Sequence, residues 1–97
     1  MNMQKLLRQA QDMQEKMKRE LNETVVETTV GGGLVSVRMD GNKRLVAVKI
    51  DPEAADPDDL DMLQDLILAA VNSANSKVDE TLRDKLGSMA SGLPNLF

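Results

Sequence analysis

The chain has 97 residues, no cysteine, histidine, tryptophan or tyrosine, a single phenylalanine, and a formal charge of −4. A chain this short is expected to form one domain, spanning 1–97, with a thin core, and without cysteine it has neither a disulfide framework nor a thiolate metal site. The missing histidine removes the side chain most used for acid–base catalysis near neutral pH, and the near-absence of aromatic rings weighs against recognition of single strands by base stacking.

Small domains without cross-links commonly complete their core against a second copy, so an oligomer is expected on size alone. Residues 1–20 mix apolar and charged positions with no continuous apolar stretch, so no signal peptide is expected. The longest apolar run, 66–71, is far too short to cross a bilayer. A soluble cytoplasmic protein is the resulting expectation.

The N-terminal region, 1–22, reads as a helix. Met3, Leu6, Ala10, Met13 and Met17 recur at alternating spacings of three and four, which places them on one stripe. Leu7 and Leu21 widen it, and no glycine, proline or β-branched residue interrupts the pattern. Such a helix would be roughly 30 Å long, more than a lone small domain could cover. Met3, Leu6, Met13 and Met17 are therefore assigned to packing or dimerisation, for which flexible methionine side chains are well suited.

From Thr24 the composition turns β-branched, and a β-meander is expected over 24–50. Gly31-Gly32-Gly33 permits a turn with positive φ. In the strand after it, Val35, Val37 and Met39 share one face. Asp40-Gly41-Asn42 signals a second hairpin, and Val46, Val48 and Ile50 should lie on one face of the third strand, with Leu45, Ala47 and Lys49 opposite. Asp51-Pro52 ends the sheet. Asp56-Pro57 then reads as an N-cap and first helical position, opening a helix over 56–86 with Leu60, Leu63, Ile67, Ala70, Ala74 and Val78 on its apolar side. Gly87 reads as its stop, and the glycine- and proline-containing tail, 87–97, is expected to be flexible. The fold class is α+β: an α-β-β-β-α order with a three-stranded antiparallel sheet and two long helices.

Several strings in this order resemble the YbaB/EbfC family. They are Gly31-Gly32-Gly33-Leu34-Val35, the hairpin Asp40-Gly41-Asn42, the exit Val48-Lys49-Ile50-Asp51-Pro52, the helical stretch Leu63-Gln64-Asp65-Leu66-Ile67-Leu68-Ala69-Ala70-Val71-Asn72-Ser73-Ala74, and the ending Gly92-Leu93-Pro94-Asn95-Leu96-Phe97. Together they run through essentially the whole chain. The resemblance implies a bacterial, nucleoid-associated homodimer shaped like tweezers. It further implies that the dimer binds double-stranded DNA through its helices with little sequence specificity, alters the DNA's conformation and influences gene expression. It implies no enzymatic reaction, no cofactor, no metal and no small-molecule substrate.

Charge is unevenly distributed. Residues 1–22 carry Lys5, Arg8, Lys16, Lys18 and Arg19 against Asp12, Glu15 and Glu20, a local +2, while 51–65 hold seven acids and no base, a local −7. On a helical wheel Lys5, Arg8, Lys16 and Arg19 fall broadly opposite the apolar stripe. Two readings stay open. These five cations track a phosphate backbone, or they form an ordinary solvated helix face. The glutamines of the same helix offer groups for base-edge contacts, but nothing in the pattern selects them.

The acidic segment is read first as helix capping and favourable charge at a helix N-terminus. It is also read as a patch that repels DNA towards the basic side. It lacks the glycine and terminal glutamate of a calcium-binding loop. The triple glycine lacks the lysine–serine pair and following helix of a phosphate loop, so it is a turn. The net negative charge and apolar tail also admit an alternative function, a protein-interaction adaptor whose association with DNA is indirect.

Overall fold

The computed structural model describes residues 2–90. Its elements run α1 (Met3–Glu23), β1 (Val25–Val30), β2 (Val35–Asp40), β3 (Leu45–Ile50), a short 3-10 turn (Pro52–Ala54) and α2 (Leu60–Ala90). The expected α-β-β-β-α order is the observed one; the tail from 91 onward lies outside the described residues.

Asn2 caps α1, its side-chain oxygen accepting from the amides of Gln4 at 3.1 Å and Lys5 at 3.4 Å. The helix ends where Thr24 becomes extended, at φ −74° and ψ 125°, and the β-branched run begins. Strands β1, β2 and β3 form an antiparallel meander in chain order. Gly31, Gly32 and Gly33 all have positive φ, between 66° and 103°, so the first turn uses the freedom that only glycine has cheaply.

Val26 and Thr28 from β1, and Val35, Val37 and Met39 from β2, point to one face of the sheet and are buried. α2 lies on them through Ala70, Ala74 and Val78, each with no exposed surface, flanked by Leu63, Leu66, Ile67, Val71 and Leu82. The alanines let the helix axis approach the sheet closely. Close enough, in fact, that the Thr28 hydroxyl donates to the Ala70 carbonyl at 3.0 Å, which satisfies the one polar side chain on the buried face of β1.

Three local expectations are corrected. The helix expected from Asp56 begins at Leu60 instead. Asp56 closes a turn by accepting from the Asp58 amide at 2.9 Å, and Asp59 is the residue that receives the Met62 amide, at 3.2 Å. Asp56 and Asp59 thus postpone the helix because each short carboxylate bonds locally with the backbone. Gly87 does not stop α2, which continues to Ala90; a single glycine costs a helix only about 1 kcal/mol and no proline follows at once. In β3, a register shift between Arg38 and Met39 pairs Leu45, not Val46, with Met39, so strict alternation fails at the start of the strand.

β3 is also uncovered. Val48 and Ile50 pair with the buried Val37 and Val35, yet every residue of β3 is exposed, because α2 lies over β1 and β2 alone. α1 buries no residue at all. The molecule measures 68 × 20 × 15 Å with a radius of gyration of 18.9 Å, against about 13 Å for a compact chain of this length.

Replacing Ala74 by leucine should push α2 off the sheet and cost about 1–3 kcal/mol in chemical denaturation. An unchanged denaturation midpoint would contradict the close seating.

Candidate nucleic-acid interface

Residues 3–23 form a continuous helix that stands clear of the sheet, and this places the five sequence-predicted cations on one exposed arm. Lys5, Arg8, Lys16, Lys18 and Arg19 are all exposed. At 1.5 Å per residue, Lys5 and Arg19 are about 21 Å apart along the axis, the length of roughly six base pairs of duplex. Asp12, Glu15 and Glu20 share the helix, but none of them neutralises an arm cation within salt-bridge distance. Among the described residues two ion pairs form, Lys43 with Asp79 at 2.9 Å and Lys85 with Glu20 at 3.3 Å, and neither uses a cation of α1.

Cations elsewhere are engaged differently. Lys77 donates to the Glu27 carbonyl at 2.9 Å, and Lys85 donates to the Thr24 hydroxyl at 2.8 Å, so these lysines of α2 tie the helix to β1. Arg38 and Lys49 lie on the sheet face turned away from α2. Arg38 pairs across the strands with Glu27 and Ala47, and Lys49 with Ser36. Both are exposed, and the row containing Lys49 includes a Thr29–Ser36 hydroxyl hydrogen bond of 2.9 Å. Strand parity opposite Val35, Val37 and Met39 is the sequence signal that locates both on the open face.

Three of the seven acids between 51 and 65 bond the backbone. Asp51 accepts from the Glu53 amide at 2.9 Å, as Asp56 and Asp59 do from Asp58 and Met62. The capping reading therefore accounts for those carboxylates, with Asp59 in the role first given to Asp56.

The apolar stripe divides. Met13 is half-buried, but Met3, Leu6 and Met17 remain 68 %, 45 % and 39 % exposed. Packing within the chain does not cover them. Leu7, Leu60, Leu68 and the β3 residues Leu45, Val46, Val48 and Ile50 add to the uncovered apolar surface.

With this geometry in view, the comparison with known proteins is decisive on kinship. The model of the YbaB/EbfC DNA-binding family matches residues 1–93. The chain belongs to that family. It is 41 % identical over 100 residues to a nucleoid-associated protein of Chloroflexus aurantiacus, covering all of both chains. It is 47 % identical over 102 residues to a nucleoid-associated protein of Acetivibrio thermocellus, covering 99 % of this chain and 90 % of the relative. In fold it is similar to the crystal structure of an uncharacterized protein from Helicobacter pylori, with a TM-score of 0.75 at 24 % identity, covering 92 % of this chain and 97 % of the other.

Since the cations of α1 form no ion pair among the described residues, replacing Lys16, Lys18 and Arg19 together by alanine should leave thermal stability within about 0.5 kcal/mol of the parent. Circular dichroism melting checks this, and a large loss would reveal a structural role.

Proposed function

We propose that the protein is a non-enzymatic, homodimeric DNA-binding protein of the bacterial nucleoid. It reads the phosphate backbone of duplex DNA with little sequence preference, changes the duplex's conformation and thereby influences gene expression. The observation that carries this reading is the exposed α1 arm, whose five cations have no carboxylate within salt-bridge range among the described residues, in a chain of net charge −4. An acidic protein that leaves its bases free on one projecting helix has a local surface of the opposite sign to its total. Membership of a DNA-binding family and the nucleoid-associated relatives support the same reading.

Lys5, Arg8, Lys16, Lys18 and Arg19 supply the phosphate contacts. The acidic stretch before α2 repels the duplex and favours its approach to the arms. If one arm neutralises about three phosphates, log K falls with log salt at a slope near −2.7, roughly 1.6 decades of affinity for a fourfold rise in salt. Two arms on one duplex double both figures. Fluorescence anisotropy with duplex DNA at several salt concentrations reads the slope directly. Charge reversal at Lys16, Lys18 and Arg19 should flatten the slope and weaken binding at least about tenfold at low salt. Binding that ignores both salt and the reversal excludes the arm mechanism. A protein pulldown that survives nuclease treatment while naked duplex goes unbound favours the adaptor instead.

The second copy is supported by apolar surface that the chain does not cover. Val48 and Ile50 continue the buried face of β2 beyond the edge of α2, and Met3, Leu6 and Met17 line an exposed stripe. Covering such surface at about 25 cal/mol per Å² is the cheapest completion of a thin core. The thermal midpoint should therefore rise with protein concentration, and Val48→Lys should lower both the midpoint and the mass measured by sedimentation equilibrium. A midpoint independent of concentration, with a monomer's mass, rejects the dimer.

A further inference from the structure

We propose that Gly41, Asn42 and Lys85 form an elbow that fixes the direction in which α1 leaves the body of the protein. Gly41 sits in the β2–β3 hairpin, yet its φ is not positive; in that turn Lys43 takes the left-handed conformation, with φ 64°. Glycine is needed at 41 for space. A Cβ there would lie 2.8 Å from the Leu21 Cα and closer still to the Leu21 carbonyl oxygen, both backbone atoms of the last turn of α1. Gly41 is buried, and its amide donates to the Thr24 carbonyl at 2.9 Å, which extends the β1–β2 ladder to the residue that ends the helix.

Two side-chain contacts brace this crossing from either side. On the hairpin side, the Asn42 amide donates to the Asn22 side-chain oxygen at 2.8 Å. On the α2 side, the Lys85 ammonium bonds at once to the Thr24 hydroxyl at 2.8 Å and to Glu20 at 3.3 Å. Thr24 itself is 3 % exposed. Glu20, Leu21, Asn22 and Thr24 are thus held by two different elements, the β2–β3 hairpin and α2, whereas α1 buries none of its residues. The arm has a single joint.

A long lever turns a small change at this joint into a large one at its end: a tilt of about 10° moves a tip roughly 30 Å away by about 5 Å. Gly41, Asn42 and Lys85 are therefore positioning residues for the arm. Their mechanical role stands on the contacts alone; its bearing on DNA rests on the arm reading above.

The absence of cysteine makes the test direct. Spin labels at Gln9→Cys on α1 and Glu80→Cys on α2, with labelled chains diluted in unlabelled protein, give the intrachain distance by pulsed electron resonance without DNA. Gly41→Ala should shift the mean by roughly 3 Å, the displacement that a tilt of about 10° gives a label about 18 Å from the joint, or broaden the distribution to a similar extent. The double variant Asn42→Ala with Lys85→Met, which leaves the hairpin backbone untouched, should broaden it, and Lys85→Arg should restore much of the parent's width. Should Gly41→Ala fail to fold, the double variant decides alone. Distributions that superimpose on the parent's overturn the elbow, whatever the protein does with DNA. A distance that moves, together with duplex binding indifferent to charge reversal on α1, upholds the elbow and rejects the arm's role in binding.

Discussion

α2 meets the sheet through Ala70, Ala74 and Val78, all without exposed surface, and the width of one helix decides what the rest of the molecule must do. A helix with its side chains is about 10–12 Å across, while strands lie about 4.8 Å apart. One helix seated this closely covers two strands and no more. β1 and β2 are buried beneath it, β3 is left bare, and α1 projects from the sheet with none of its residues buried. The opposite face carries Glu27, Arg38, Thr29, Ser36 and Lys49. Elongation, an exposed arm and an uncovered edge strand all follow from that one close contact.

The electrostatic pattern has a similarly simple origin. Acids that precede α2 satisfy backbone amides in successive turns, so much of the negative total is tied to chain reversal and helix initiation. The lysines of α2 brace β1 and the end of α1. The arm keeps five cations that form no ion pair among the described residues. Net charge is then a poor guide to the surface a partner meets; its distribution over elements is the informative quantity.

Much of this architecture was legible in the chain. The spacing of Met3, Leu6, Ala10, Met13 and Met17 identified α1, and the triple glycine marked a turn whose three φ values are indeed positive. Of the expected apolar side of α2, Leu63, Ile67, Ala70, Ala74 and Val78 join the core, together with Leu66, Val71 and Leu82, while Leu60 is exposed. Misreadings arose where two local signals compete. Asp56-Pro57 has the chemistry of a helix start, but Asp59 offers the same carboxylate three residues later, and the nearer one caps the helix. Gly41 lies in the expected hairpin and is also a close-approach residue, a role that depends on Leu21, twenty positions earlier in the chain.

Periodicity and composition by themselves determined the kinds of element, their order, and which side of each helix is apolar, because these follow from steric and hydrophobic rules acting over a few residues. The five cations of α1 could also be placed on one helix from their spacing. Tertiary structure alone decided that this helix buries none of its residues, that α2 stops short of β3, and that Leu21 crosses close over Gly41. Those facts depend on distances between segments far apart in the chain, and no local pattern encodes a distance.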